Sequence, residues 1–255
     1  MRIQYEKHPS DGGPCGRMAA SPSLGGWYAR WKVIADVITA CVLLLLVAPL
    51  VLVLMVLVRL TSPGPAIYSQ VRTGRGGRPF RIFKLRSMAN ECERVSGPRW
   101  SSGPRDSRVT SLGRFLRRSH LDELPQLWNV IRREMSLVGP RPERPVFVDE
   151  LQRTIPDYML RSQVLPGITG LAQVQLPPDE DVADVRRKLQ CDLCYIRRLG
   201  PWLDFRIMIA TLMKVLGAPC PITTKILALP GPDDSVRVIS YLDEAPAPLH
   251  QMQSE

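Results

Sequence analysis

Apolar and polar positions divide the chain into stretches of different period. Residues 37–58, VITACVLLLLVAPLVLVLMVLV, carry no charge over 22 positions. A run of that length crosses the hydrocarbon core of a bilayer as a helix. Pro49 lies near its middle, where proline kinks or breaks a helix, although helices in lipid tolerate it. Two topologies follow: one spanning helix, or a re-entrant hairpin that enters and leaves by the same face. Ahead of the run, residues 1–26 hold five glycines and three prolines and predict a disordered lead. The apolar run starts too late and is too long for a signal peptide.

Beyond it, the period falls to two. In SPGPAIYSQVRTGRGGRPFRIFKLRSM, residues 62–88, a Ser-Pro-Gly-Pro turn leads into a strand at 66–71. A glycine-rich turn follows, and FRIFKLRSM alternates apolar with basic residues, so a β-hairpin is expected. Residues 89–109 read as a polar loop. Helical spacing returns at 111–119, 146–154, 156–163 and 182–198. LPGITGLAQV, 165–174, reads as a glycine-punctuated strand or loop. WLDFRIMIATLMKVL, 202–216, is too short for a clear span and is expected in the core or in the membrane interface. The proline-rich residues 229–255 read as a flexible tail. The chain thus divides into a lead (1–26), a membrane helix (27–60), a domain (61–228) and a tail (229–255).

Charge narrows the class of partner. The formal net charge is +10, and the pI of about 9.7 points to an anionic partner. Aromatic residues make up 6%, few for a protein that stacks single-stranded bases, so nucleic acid is not expected. The six cysteines are scattered, and Cys191-x-x-Cys194 has no second pair to complete a zinc site. Basic residues flank the apolar run on both sides, Arg30 and Lys32 before it, Arg59, Arg72 and Arg75 after it. The heavily basic downstream side is predicted to be cytoplasmic. The upstream bias is small, so charge alone leaves both topologies open.

Candidate chemistry concentrates in RRSHLDELPQLWNVIRREMSLVGPRP, 117–142. Asp122 and Glu123 stand side by side among arginines. Leu121, Leu124, Leu127, Trp128 and Ile131 share one face of a helix; Asp122, Gln126, Asn129 and Arg133 share the other. Pro125 belongs in a first turn, which starts the helix near Asp122, with Ser119 the other candidate cap. Either way the acids sit at a positive helix end. An ionised carboxylate there can hold a divalent metal or attack phosphorus, and arginines can fork onto phosphoryl oxygens. The simpler alternative is that Asp122 caps the helix and Glu123 pairs with Arg117 or Arg118.

Four segments, 62–88, 112–142, 166–174 and 188–216, together resemble the bacterial sugar transferase family, the monotopic phosphoglycosyl transferases. With the apolar run the resemblance covers residues 31–216. It implies an α+β fold: a re-entrant helix-break-helix at Pro49, then a small, mostly helical cytoplasmic catalytic domain with a β-hairpin and interfacial amphipathic helices. It implies transfer of a sugar 1-phosphate from a UDP-sugar to polyprenyl phosphate, releasing UMP. The product is a polyprenyl diphosphate sugar, a first intermediate of a surface glycan. Asp122 is the implied nucleophile and Mg2+ ligand, and Glu123 a helper that handles protons or orients the acceptor. Lys84, Arg86, Arg117, Arg118 and Arg141 are the basic residues expected around the phosphates. The implied partners are a nucleotide sugar, polyprenyl phosphate and a membrane; the implied location is the bacterial inner membrane, with catalysis on its cytoplasmic face. The oligomeric state is not implied.

The chain departs from the family pattern at Ala48, where a serine commonly precedes the proline, and at Cys194, where an aromatic is usual. After GLAQV, an Asn-Gly-Arg-like stretch is replaced by Gln175, Leu176 and Pro177 and then Asp179, Glu180 and Asp181. A large multi-span N-terminal region is also missing, as in a minimal catalytic form. Two other readings predict different behaviour. A glycosyltransferase would release UDP. A basic membrane adaptor would bind without the acid pair and weaken with salt.

Overall fold

The computed structural model describes residues 26–90, 92, 106–177 and 181–231. Residues 1–25 of the lead, most of the expected polar loop, residues 178–180 and residues 232–255 lie outside the described residues.

The apolar run forms one helix, α1, Trp27–Thr61, unbroken through Pro49. The expected division into two helices does not occur. Proline removes one backbone donor and crowds the preceding turn, but the surrounding helix bonds carry α1 through. By length and composition α1 is the one helix among the described residues that suffices to cross a membrane. One narrow stripe of it is covered. Ala40, Leu54 and Val58 are buried, and Leu44, Val47, Val51 and Met55 pack beside them. Much of the rest of its surface between residues 37 and 58, including Leu45, Leu46, Leu52 and Val53, is exposed and apolar.

The hairpin is β1 (Ile67–Thr73) paired antiparallel with β2 (Pro79–Leu85), Tyr68 opposite Lys84. Helix α2 (Ser111–Arg118) is capped by the Thr110 hydroxyl, which accepts from Gly113 N at 2.9 Å. A Cβ on Gly113 would collide with the Ser87 carbonyl, so glycine lets α2 press against the strand end. The single helix expected to begin near Asp122 is instead a 3-10 segment, Leu121–Gln126, followed by α3, Leu127–Ile131. Then come β3 (Ser136–Val138), α4 (Pro145–Thr154), a 3-10 segment (Tyr158–Gln163), β4 (Gly167–Thr169) and α5 (Leu171–Gln175). Strands β3 and β4 run parallel, a pairing hidden in the sequence by their shortness. Helices α6 (Val182–Arg197), α7 (Pro201–Val215) and α8 (Cys220–Ile226) close the domain.

Leu189, Tyr195, Ile207 and Ala210 from α6 and α7 meet Val130, Met135 and Val138 in the main core. Each fully buried aliphatic side chain there stabilises the fold by about 2 kcal/mol. Leu229 is also buried in it, and the Pro230 carbonyl accepts from Gln175, so the start of the expected tail packs on the domain. The outward side of α7 exposes Trp202, Phe205, Met208 and Leu212.

Candidate active site

Helix α2 ends at Ser119, and His120 turns the chain in the left-handed region, φ 55°. A non-glycine residue in that region is uncommon. The reversal sets Leu121–Gln126 across the end of β2. Neither Asp122 nor Ser119 caps this segment; His120 does, without a side-chain bond. Its polar side turns inward: Asp122, Glu123, Gln126 and Asn129 are all buried, while Trp128 is half exposed.

The two acids have different partners. Lys84 Nζ donates to Glu123 Oε1 at 2.6 Å. Arg141 Nη2 donates to the same oxygen at 2.6 Å, and its Nη1 to Oε2 at 3.4 Å. These are the partners, in place of the Arg117 or Arg118 that sequence proximity allowed. Burial alone raises the Glu123 pKa, but Arg141 and Lys84 together outweigh it and hold the carboxyl well below the usual range. Asp122 makes no side-chain hydrogen bond or ion pair among the described residues. Its burial lifts the pKa above the ordinary value; Lys84 opposes that, Glu123 adds to it, and Arg117 and Arg141 oppose it. Lys84 is pushed down by its own burial, against the pull of Glu123. Charge from Glu123 raises Arg141 further. The site therefore pairs an ionised acid held by two cations with a buried acid that has no partner among the described residues.

The strand carrying Lys84 and the segment carrying the acids are joined through Asn129, which the sequence placed on the polar face without a role. Its Oδ1 accepts from Phe83 N at 3.2 Å, and its Nδ2 donates to the Arg81 carbonyl at 2.6 Å and to Glu134 at 2.8 Å. Asn129 pins β2 to the segment carrying Asp122 and so fixes where Lys84 points. The sequence signal is an asparagine two helical turns beyond Asp122. Gln126, also buried, has an unpartnered Nε2.

Arg141 arrives from β3 through Gly139 and Pro140. A Cβ on Gly167 would strike the Gly139 backbone, so glycine is required where β4 passes this loop. Arg117 Nε donates to Ser87 Oγ at 2.9 Å, and its charge reaches Asp122. Arg118 is exposed on α2 and takes no part in the Glu123 ion pairs. Arg86 is elsewhere. It is 5% exposed and donates to the carbonyls of Val58 (3.4 Å), Ser62 (2.7 Å) and Pro63 (2.6 Å). The expected phosphate ligand is thus a clamp on the C-terminal end of α1. Its partners are carbonyls freed where the helix ends, which attract a guanidinium strongly.

Cys191 and Cys194 pack in the core, and burial pushes the Cys191 thiol up to about 12. Among the described residues no three His, Cys, Asp or Glu side chains gather as a metal cluster.

Comparison with known proteins adds an independent line. Residues 27–218 match the family described as bacterial sugar transferase. The chain is 43% identical over 189 residues to the UDP-N-acetylgalactosamine-undecaprenyl-phosphate N-acetylgalactosaminephosphotransferase of Aeromonas hydrophila, covering 74% of this chain and 44% of that protein. It is 42% identical over 221 residues to the UDP-glucose:undecaprenyl-phosphate glucose-1-phosphate transferase of Caulobacter vibrioides, covering 84% and 81%. It is 35% identical over 189 residues to the exopolysaccharide production protein PSS of Rhizobium leguminosarum, covering 71% and 92%. The chain therefore spans less than half of the Aeromonas relative and most of the other two.

Proposed function

The chain belongs to the bacterial sugar transferase family, and from that premise we propose that it moves a sugar 1-phosphate from a UDP-sugar to undecaprenyl phosphate and releases UMP. The activities for which two relatives are named support the reaction. The observation that carries it to particular residues is the unpartnered, buried Asp122 beside a Glu123 already occupied by Lys84 and Arg141.

In the first step an Asp122 carboxylate oxygen attacks the phosphorus that bears the sugar. The bond from that phosphorus to the bridging oxygen breaks, and the oxygen leaves on UMP. A phosphosugar remains on Asp122. In the second step an undecaprenyl phosphate oxygen attacks the same phosphorus. The Asp122 oxygen–phosphorus bond breaks and the carboxylate is restored. Lys84 and Arg141 hold the phosphoryl oxygens, and their partial burial strengthens that attraction. Glu123 keeps both cations in place before substrate arrives. Held ionised, it is a cation anchor rather than a proton donor.

Asp122 fits a role in holding Mg2+. It is a buried carboxylate without a partner among the described residues, and Mg2+ is commonly bound by one or two carboxylates together with substrate phosphates. Bound there, the ion would shield phosphate charge from the incoming carboxylate.

A re-entrant arrangement, with α1 bending at Pro49 rather than breaking there, is supported by contacts at both ends of α1. Near the start, Lys32 Nζ and Tyr28 OH each donate to Asp204 Oδ2 at 2.6 Å, and Ser136 Oγ donates to Asp36 at 2.5 Å. Near the end, Arg86 holds the last carbonyls. A helix spanning about 30 Å of hydrocarbon would leave one end on the far face, away from this domain. Both ends, and the catalytic domain, lie on the cytoplasmic side of the inner membrane. The likeness to the Rhizobium protein supports a place in surface glycan synthesis.

The test is nucleotide release. Purified protein is incubated with undecaprenyl phosphate, Mg2+ and a panel of UDP-hexoses and UDP-N-acetylhexosamines. UMP is expected with at least one sugar and is lost on chelation. Release of UDP would make it a glycosyltransferase. Acceptor binding without turnover that survives neutralisation of both acids would make it an adaptor.

A further inference from the structure

The loop carrying Arg141 is held by four successive carbonyls. Pro140 O accepts from Gly167 N at 2.9 Å and Glu143 O from Thr73 N at 2.8 Å. Pro142 O accepts from Arg72 Nη1 at 3.1 Å. Arg141 O itself accepts from Arg161 Nη2 at 2.9 Å. Arg161 is in turn fixed on every side. Its Nε and Nη2 meet Asp192 Oδ2 at 3.0 and 2.7 Å, and its Nη1 donates to the Tyr158 hydroxyl at 2.7 Å. Asp192 is 2% exposed, on the inner face of α6.

By contrast, the Arg141 side chain is 41% exposed. No cage of side chains aims it; its backbone and Glu123 do. When a phosphoryl group draws the guanidinium from Glu123, the backbone anchor is what remains. We propose that Arg161, clamped by Asp192 and Tyr158, is a positioning residue that aims Arg141 at the transferred phosphoryl group by holding its carbonyl. The inference rests on the reading of Arg141 as a phosphate ligand.

The alternative is that Arg161 only knits the segment Tyr158–Gln163 to α6. The two differ in coupling. Lysine at 161 keeps the charge opposite Asp192 but cannot reach Asp192, Tyr158 and the Arg141 carbonyl together, because it lacks the planar fork. UMP release is measured for Arg161→Lys, Arg141→Lys and the double variant, with melting temperatures in the same detergent. Residues acting through one another give non-additive changes. The expected result is a loss of about tenfold in kcat/KM for each single variant and less than about twofold further loss when the second change is added to the first. Should Arg161→Lys fail to fold, Tyr158→Phe enters the same cycle with the same non-additivity criterion. Equal losses from the position 161 or 158 change in both backgrounds overturn the positioning role and leave Arg141 as a ligand. Full activity in Arg141→Lys overturns both readings. A melting temperature that falls with activity by the same increment in both backgrounds assigns Arg161 to scaffolding and also overturns the proposal.

Discussion

Asp122 and Glu123 are adjacent in sequence and opposite in circumstance. Glu123 holds two cations; Asp122 holds none among the described residues. The arginines show the same separation of roles. Arg141 faces Glu123, whereas Arg86 serves the end of α1. Arg86→Ala should therefore lower stability by about 1–3 kcal/mol, the cost of stranding buried carbonyls. KM for the UDP-sugar should stay within about twofold. Denaturation and steady-state kinetics on one preparation check this, and a large KM change with unaltered stability would return Arg86 to the phosphates. Arg141→Lys should show the reverse, with activity down at least about tenfold and stability little changed. The acid pair and Arg141 were legible because their motif is local. Which cation meets which acid was not, because Lys84 and Arg141 approach from a strand and a loop far apart in the chain.

At the scale of elements, the regular periods were the readable ones. The alternation in FRIFKL placed β2, and the spacing of Val185, Leu189 and Ile196 placed α6. The segment after His120 defeated the period. Glu123 and Asn129 face inward because Lys84, Arg141, Arg81 and Phe83 supply partners there, and Pro125 helps confine the segment to a 3-10 turn. Three-residue strands such as β3 are too short to show alternation. The polar cluster that ties α1 to α7 was also invisible, since its members lie about 170 positions apart. Asp204→Ala would leave Lys32 with Asp36 at 3.2 Å, strand the Tyr28 hydroxyl and leave the Tyr195 hydroxyl with the Val138 carbonyl alone. A loss of about 3 kcal/mol is expected, with faster proteolysis of the N-terminal half of α1. Unchanged stability and unchanged cleavage would remove that cluster as the tie between helix and domain.

For the whole molecule, the central relation is between an apolar helix and a basic domain that touches both its ends. The exposed apolar faces of α1 and α7 are the surfaces that, on the function proposed above, would meet lipid. In a cysteine-free background, Gly26→Cys and Arg75→Cys should both resist an impermeant thiol reagent in intact cells and react after lysis. Labelling of Gly26→Cys from outside would establish a spanning helix instead. Pro49→Leu removes a helix defect of about 3 kcal/mol and should raise the fraction of chains labelled that way.

The covalent step is the most exposed claim. Protein is mixed with its UDP-sugar and Mg2+ in the absence of undecaprenyl phosphate, quenched, digested and examined by mass spectrometry. The peptide containing Asp122 should gain the mass of a sugar phosphate, with UMP released in matching amount. Asp122→Asn should abolish both, with turnover down more than about a thousandfold, as for loss of a nucleophile. Glu123→Gln should slow turnover by about a hundredfold, two charge-assisted contacts being weakened, yet still form some adduct. An unmodified Asp122 peptide, together with UMP release that requires both substrates bound, would contradict the account and make the transfer direct.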